Sequence, residues 1–209
     1  MGNKQHISDE LLAAYLEGNV NEQEMAQVLQ AVGRNTELQE ALDIALRLDE
    51  EGEELPLQMA AEGGRNLCDI QCEAYVLKQC GIECSVEELL EVAKENHWIR
   101  RAGTPLNCIG NLVEHQGIKV ARRLKASIED IKEVLEKGCG VIVAVDSDKL
   151  YPERPDEEDA TNHAIVVTGM KEDAVTIYDP GNVTEIDIKL SLFMSAWKES
   201  HCYMVSTKV

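Results

Sequence analysis

Residues 67–81, Leu-Cys-Asp-Ile-Gln-Cys-Glu-Ala-Tyr-Val-Leu-Lys-Gln-Cys-Gly, set the tightest limit on how this chain can fold. At about 100° per residue the apolar positions Ile70, Cys72, Ala74, Tyr75, Val76, Leu77 and Cys80 fall on nearly every side of a helix, and Gly81 follows as a stop. Such a helix belongs inside a domain, so other elements must cover it on more than one face. Cys68 sits in its first turn, where free backbone N–H groups and the positive end of the helix dipole favour an anion. The dipole alone is too weak to make a nucleophile. An effect of about 1 kcal/mol takes an ordinary thiol only from ~8.5 to ~7.8. A reactive sulfur therefore needs a cationic partner, for which histidine is the common choice.

The elements that could cover this helix follow it at close spacing. Ser85 with Glu88 forms a capping box ahead of Leu89, Leu90, Val92 and Ala93. Thr104-Pro105 predicts a helix carrying Leu106, Ile109, Leu112 and Val113, and Ser127 opens another through Ile131 and Leu135 to Gly138. Strands are expected over 119–124, 140–145, 163–169, 174–178 and 201–207, with a last helix over 190–200. Residues 171–173 are short enough to be a hairpin turn, and the polar stretch 146–162 reads as a long loop. Helices first and mostly antiparallel strands afterwards make the class α+β.

The first 50 residues read as three short amphipathic helices, starting after Ser8, at Asn21 with Glu24, and at Thr36 with Gln39. Each is too short to stand alone, so a small helical interaction module is expected. An acidic linker over 51–58 then separates it from a domain over 59–209. The string Ile-Ser-Asp-Glu-Leu-Leu-Ala-Ala-Tyr-Leu-Glu-Gly resembles the N-terminal module of zinc-dependent anti-sigma factors. Those modules hold metal through a histidine and two closely spaced cysteines; this segment has no cysteine, so the metal is not carried over.

Composition narrows the functional classes. With 20 basic against 39 acidic residues the net charge is −19, a field that repels phosphate backbones and anionic lipid, so neither nucleic acid nor a membrane is an expected partner. No signal peptide or bilayer-spanning run is evident, which makes the cytoplasm the expected compartment. The seven cysteines then read as reduced thiols. Cys68 with Cys72, or Cys80 with Cys84, has a spacing that could touch a metal, but no paired Cys-x-x-Cys hook accompanies them; no metal or other cofactor is expected.

Of the five histidines, His6 is terminal, His97 and His115 fall at helix ends, and His201 opens the last strand. His163 ends a polar loop at Asn162 and begins an apolar strand, a position that holds a side chain firmly yet leaves it reachable. Asp179, before Pro180, ends the neighbouring strand of the hairpin and could orient the imidazole. Cys72, one turn along from Cys68, and Asp69 beside it are expected near the site. Phe193 and Trp197, at i and i+4, read as packing residues.

Taken in order, Cys68-x-x-x-Cys72-x-Ala74-x-Val76-Leu77-x-x-x-Gly81, Gly103-Thr104, His163-Ala-Ile-Val-Val-Thr-Gly169, Tyr178-Asp179-Pro180 and Phe193 with Trp197 resemble the bacteriocin-processing peptidase family of the papain-like cysteine peptidases over roughly residues 55–209. The resemblance implies a papain-like fold, a helical half plus an antiparallel sheet, with Cys68 as nucleophile, His163 as base and Asp179 as its orienting carboxylate. It also implies an oxyanion-hole glutamine upstream. Six residues before the cysteine stands Glu62, so the glutamine is assigned to Gln58, with Asn66 as the alternative. Asp69 occupies a place where the family usually has a small residue, and its charge would oppose a thiolate. The expected function is hydrolysis of a peptide bond. The competing readings are a catalytically silent relative that binds a peptide or protein, and acyl transfer or deamidation by the same thiol.

Overall fold

The structure is a computed structural model of the 209-residue chain. It describes residues 67–99, 103–153, 162–182 and 184–208, with only the backbone of Asn162, and isolated positions among residues 7–31. The chain divides into two compact units, Met1–Glu54 and Leu55–Val209. In the first, the Leu11 N–H donates to the Ser8 Oγ at 3.2 Å, the contact expected of a helix starting after Ser8. Glu24, Gln27, Val28 and Ala31 are helical. The expected third helix, the linker, Gln58 and Asn66 lie outside the described residues.

The second unit begins with α1 (Cys68–Gln79), then α2 (Val86–Glu95), a 3-10 turn (Leu106–Cys108) and α3 (Asn111–His115). β1 (Val120–Arg123), α4 (Ile128–Glu136), β2 (Val141–Asp146) and the short α5 (Ser147–Leu150) follow. β3 (Asn162–Met170), β4 (Ala174–Tyr178), β5 (Ile186–Lys189), α6 (Leu190–Lys198) and β6 (Met204–Thr207) complete it. The strands form one antiparallel sheet in the order β1-β6-β2-β3-β4-β5.

Strand periodicity divides the core in two. On one face of the sheet Ile142, Ala144, Ala164, Val166 and Val205 meet Ile70, Val76 and Leu77 of α1 and Leu89 and Leu90 of α2. On the other, Val141, Val143, Val145, Ile165, Val167 and Ile177 meet Ile131 of α4 and Phe193, Ala196 and Trp197 of α6. The central strands are thus apolar without alternation because both their faces are covered. Close approach of helix and sheet depends on Gly140, where a Cβ would stand 2.7 Å from Val76 Cγ1.

Local signals decide most boundaries. Capping boxes at Ser85 with Glu88 and at Ser127 with Asp130 start α2 and α4. The helix expected from Thr104 is instead broken into the 3-10 turn and α3, because Gly110 adopts φ +89° between them. The stretch expected as a loop over 146–162 contains α5, capped by Asp146, whose Oδ1 accepts the Lys149 N–H at 3.0 Å. The last strand starts at Met204 rather than at residue 201, because His201 and Cys202 have φ near +55° and turn the chain out of α6. β5 is an addition to the expected strands; its Ile-Asp-Ile-Lys alternation is short and marks an edge.

Candidate active site

α1 has Leu67 as its N-cap, a residue with no side-chain acceptor for the free N–H groups of the first turn. Cys68 is half-buried at this end of the helix. The hairpin register sets the opposite wall: Val166 pairs with Tyr178, so the start of β3 and the residue after β4 come out at the same end of the sheet. His163 and Asp179 are therefore neighbours, with His163 Nε2 3.0 Å from Asp179 Oδ1.

Helix and strand are joined at Ala164. Its N–H donates to Cys68 Sγ at 3.4 Å, and its carbonyl oxygen accepts from the Cys72 thiol at 3.3 Å. Ala164, next in sequence to His163, thereby holds two successive turns of α1. Since Nε2 is committed to Asp179, Nδ1 is the ring nitrogen left to interact with Cys68. Burial opposes a charge on this imidazole, but hydrogen bonds to Asp179 and Cys68 and the negative charge of both outweigh it, so His163 is raised to about 10. The structure thus brings Cys68, His163 and Asp179 together. Cys72 is fully buried, and desolvation, followed by the charges of Cys68, Asp69, Asp179 and Glu73, pushes its thiol well above the usual range.

Asp179 is 3% exposed and fully engaged. Besides His163, its Oδ1 accepts the Gly181 N–H at 2.9 Å, and its Oδ2 accepts the Tyr151 hydroxyl. Burial works against its ionisation, yet the bonds from His163, Tyr151 and Gly181 hold it below the usual carboxylate value. Tyr151 has no motif around it in the sequence; only the fold shows that the turn of α5 delivers it here.

Asp69, expected near the site, is a buried carboxyl. It is 2% exposed and turned into the interior toward Glu73, one turn further along α1. Desolvation raises Asp69 to about 6 in spite of Glu73, Thr104 and Arg122. Desolvation and the charge of Asp69 raise Glu73 well above the ordinary glutamate value, although its Oε2 accepts the Val113 N–H at 2.8 Å. The two carboxyls resist being ionised together, so Asp69 loses its proton only as pH rises through about 6, while Glu73 keeps its own more firmly. Of the other expected residues, Asn162 occupies the first position of β3 opposite Asp146, while Gln58 and Asn66 lie outside the described residues. Among the described residues no cluster of three or more His, Cys, Asp and Glu side chains is arranged to hold a metal ion.

A buried helix with cysteine at its mouth, packed on an antiparallel sheet that presents a histidine and an aspartate, defines the papain-like cysteine peptidase class. A family model described as the Peptidase_C39 like family matches residues 54–205, and the chain belongs to that family. Two solved structures share the fold. One is described as a C39-like peptidase from Bacillus anthracis (15% identity, TM-score 0.56, covering 69% of this chain and 89% of that one). The other is the peptidase domain of Streptococcus ComA, a bi-functional ABC transporter involved in a quorum sensing pathway (20% identity, TM-score 0.52, covering 69% of this chain and 93% of that one). No curated protein matches the chain.

Proposed function

We propose that the chain hydrolyses peptide bonds through Cys68, His163 and Asp179. The observation that carries this reading is the division of the His163 ring: Nε2 is engaged by Asp179, and Nδ1 is left for the sulfur of Cys68. His163 takes the thiol proton, and the Cys68 sulfur adds to the substrate carbonyl. The imidazolium then gives that proton to the departing amine as the C–N bond breaks and a thioester remains. Water, deprotonated by His163, attacks the thioester carbonyl; the C–S bond breaks, the carboxylic acid leaves, and the sulfur recovers its proton from His163. Asp179 holds the ring and stabilises its charged form without itself accepting the proton. The oxyanion is met by the backbone N–H at Cys68 and by a side-chain amide, assigned to Gln58 with Asn66 as the alternative.

The remaining parts of the reading are that the substrate is a peptide or protein, that the segment over residues 1–50 docks a protein partner, and that the protein works in the cytoplasm. Incubation with a peptide library and mass spectrometry tests the chemistry. Cleavage is expected for the wild type and lost in Cys68→Ala and His163→Ala, with Gln58→Ala slower by about 10²-fold. Undiminished cleavage by Cys68→Ala would overturn the proposal.

A further inference from the structure

We propose that Tyr151 is a positioning residue for the reaction, acting through Asp179; this rests on the catalytic reading above. A carboxylate with one oxygen on an imidazole is free to swing about its Cα–Cβ and Cβ–Cγ bonds unless the other oxygen is also held. Here both are held. The Gly181 N–H and His163 Nε2 fix Oδ1, and the Tyr151 hydroxyl fixes Oδ2, so the plane of the carboxylate is set at three points.

The tyrosine is itself anchored for this task. Its N–H donates to the Ser147 oxygen at 2.9 Å, closing α5, and the preceding Leu150 is 1% exposed in the core beneath. α5 is capped by Asp146 at the end of β2 and tied to the loop after α6 by the Lys149–Glu199 ion pair. Tyr151 thus transmits a fixed point of the sheet's far face to the carboxylate. Without the hydroxyl, Asp179 Oδ2 would be buried with no donor among the described residues, and the carboxylate would turn away from the His163 axis to find one.

Tyr151→Phe removes one oxygen atom and tests this. Two readouts are taken: the NMR resonance of the His163 Nε2–H proton, and steady-state cleavage of a peptide that the wild type cuts. A loosened His163–Asp179 bond is expected to move that resonance upfield and to speed its exchange with water, with kcat down about tenfold and KM within about twofold. A resonance left in place or moved further downfield, or a loss confined to KM, would overturn the proposal. The NMR readout needs no activity. A wild type that cuts no peptide defeats the catalytic reading, while the resonance still decides whether Tyr151 holds Asp179.

Discussion

Replacing Asp69 by asparagine should make the protein more stable at neutral pH and leave it unchanged in acid. Asp69 is 2% exposed, and neither of its carboxyl oxygens has a hydrogen-bond partner within ordinary distance among the described residues; the same holds for Glu73 Oε1 and Thr104 Oγ1. Because burial raises Asp69 from 3.8 to about 6, the folded protein binds this proton more tightly than the unfolded chain does. The sign follows: the penalty is absent below about pH 4, grows as pH rises to about 6, and is complete above that. A rise of this size corresponds to ~3 kcal/mol. The asparagine side chain of the variant cannot ionise, and its amide hydrogens can serve Glu73 Oε1 or Thr104 Oγ1. The expected gain near neutral pH is ~1–3 kcal/mol, shrinking to nothing near pH 4. Urea unfolding of wild type and Asp69→Asn across this range measures it. Parallel stability curves, with the same offset in acid and at neutral pH, would refute the argument that burial raises Asp69.

Three further outcomes are expected. Gly140→Ala should lose ~1–3 kcal/mol of stability in thermal unfolding, because its Cβ would lie 2.7 Å from Val76 Cγ1 in the contact between α1 and β2. Ser200→Ala should cost ~1–3 kcal/mol by the same measurement, since the buried Ser200 Oγ donates to the Ala144 oxygen at 2.6 Å and accepts the Tyr203 N–H at 3.2 Å. His163, raised from 6.5 to about 10, contributes stability that is complete below about pH 6.5 and lost as pH climbs to about 10; Asp179→Asn should flatten that window in a stability–pH titration.

How far the sequence could be read depended on the range of each signal. Ser85 with Glu88 and Ser127 announce α2 and α4 because capping is decided within four residues. The run Val141–Val145 announces a strand covered on both faces, and residues 171–173 announce the hairpin whose register brings His163 beside Asp179. Phe193 and Trp197 pack on each other, with ring centroids 5.4 Å apart, as their spacing suggests. What stayed hidden depends on tertiary placement. The break of the expected helix at Gly110 reflects a left-handed turn packed under Val205, and β5 forms because β4 offers it an edge. The raised titration of Asp69 arises from its burial, and the role of Tyr151 arises from a helical turn in what reads as loop. Neither has a local sequence pattern.

The pairing of Cys68 with His163 is tested most directly by the rate at which iodoacetamide alkylates Cys68 as pH is varied, followed by peptide mass spectrometry in the wild type and in His163→Ala. The pairing predicts that Cys68 is alkylated faster in the wild type than in His163→Ala, and with a different dependence on pH. Buried Cys72 should stay unmodified in both proteins. Superimposable pH profiles for Cys68 in the two proteins would contradict it.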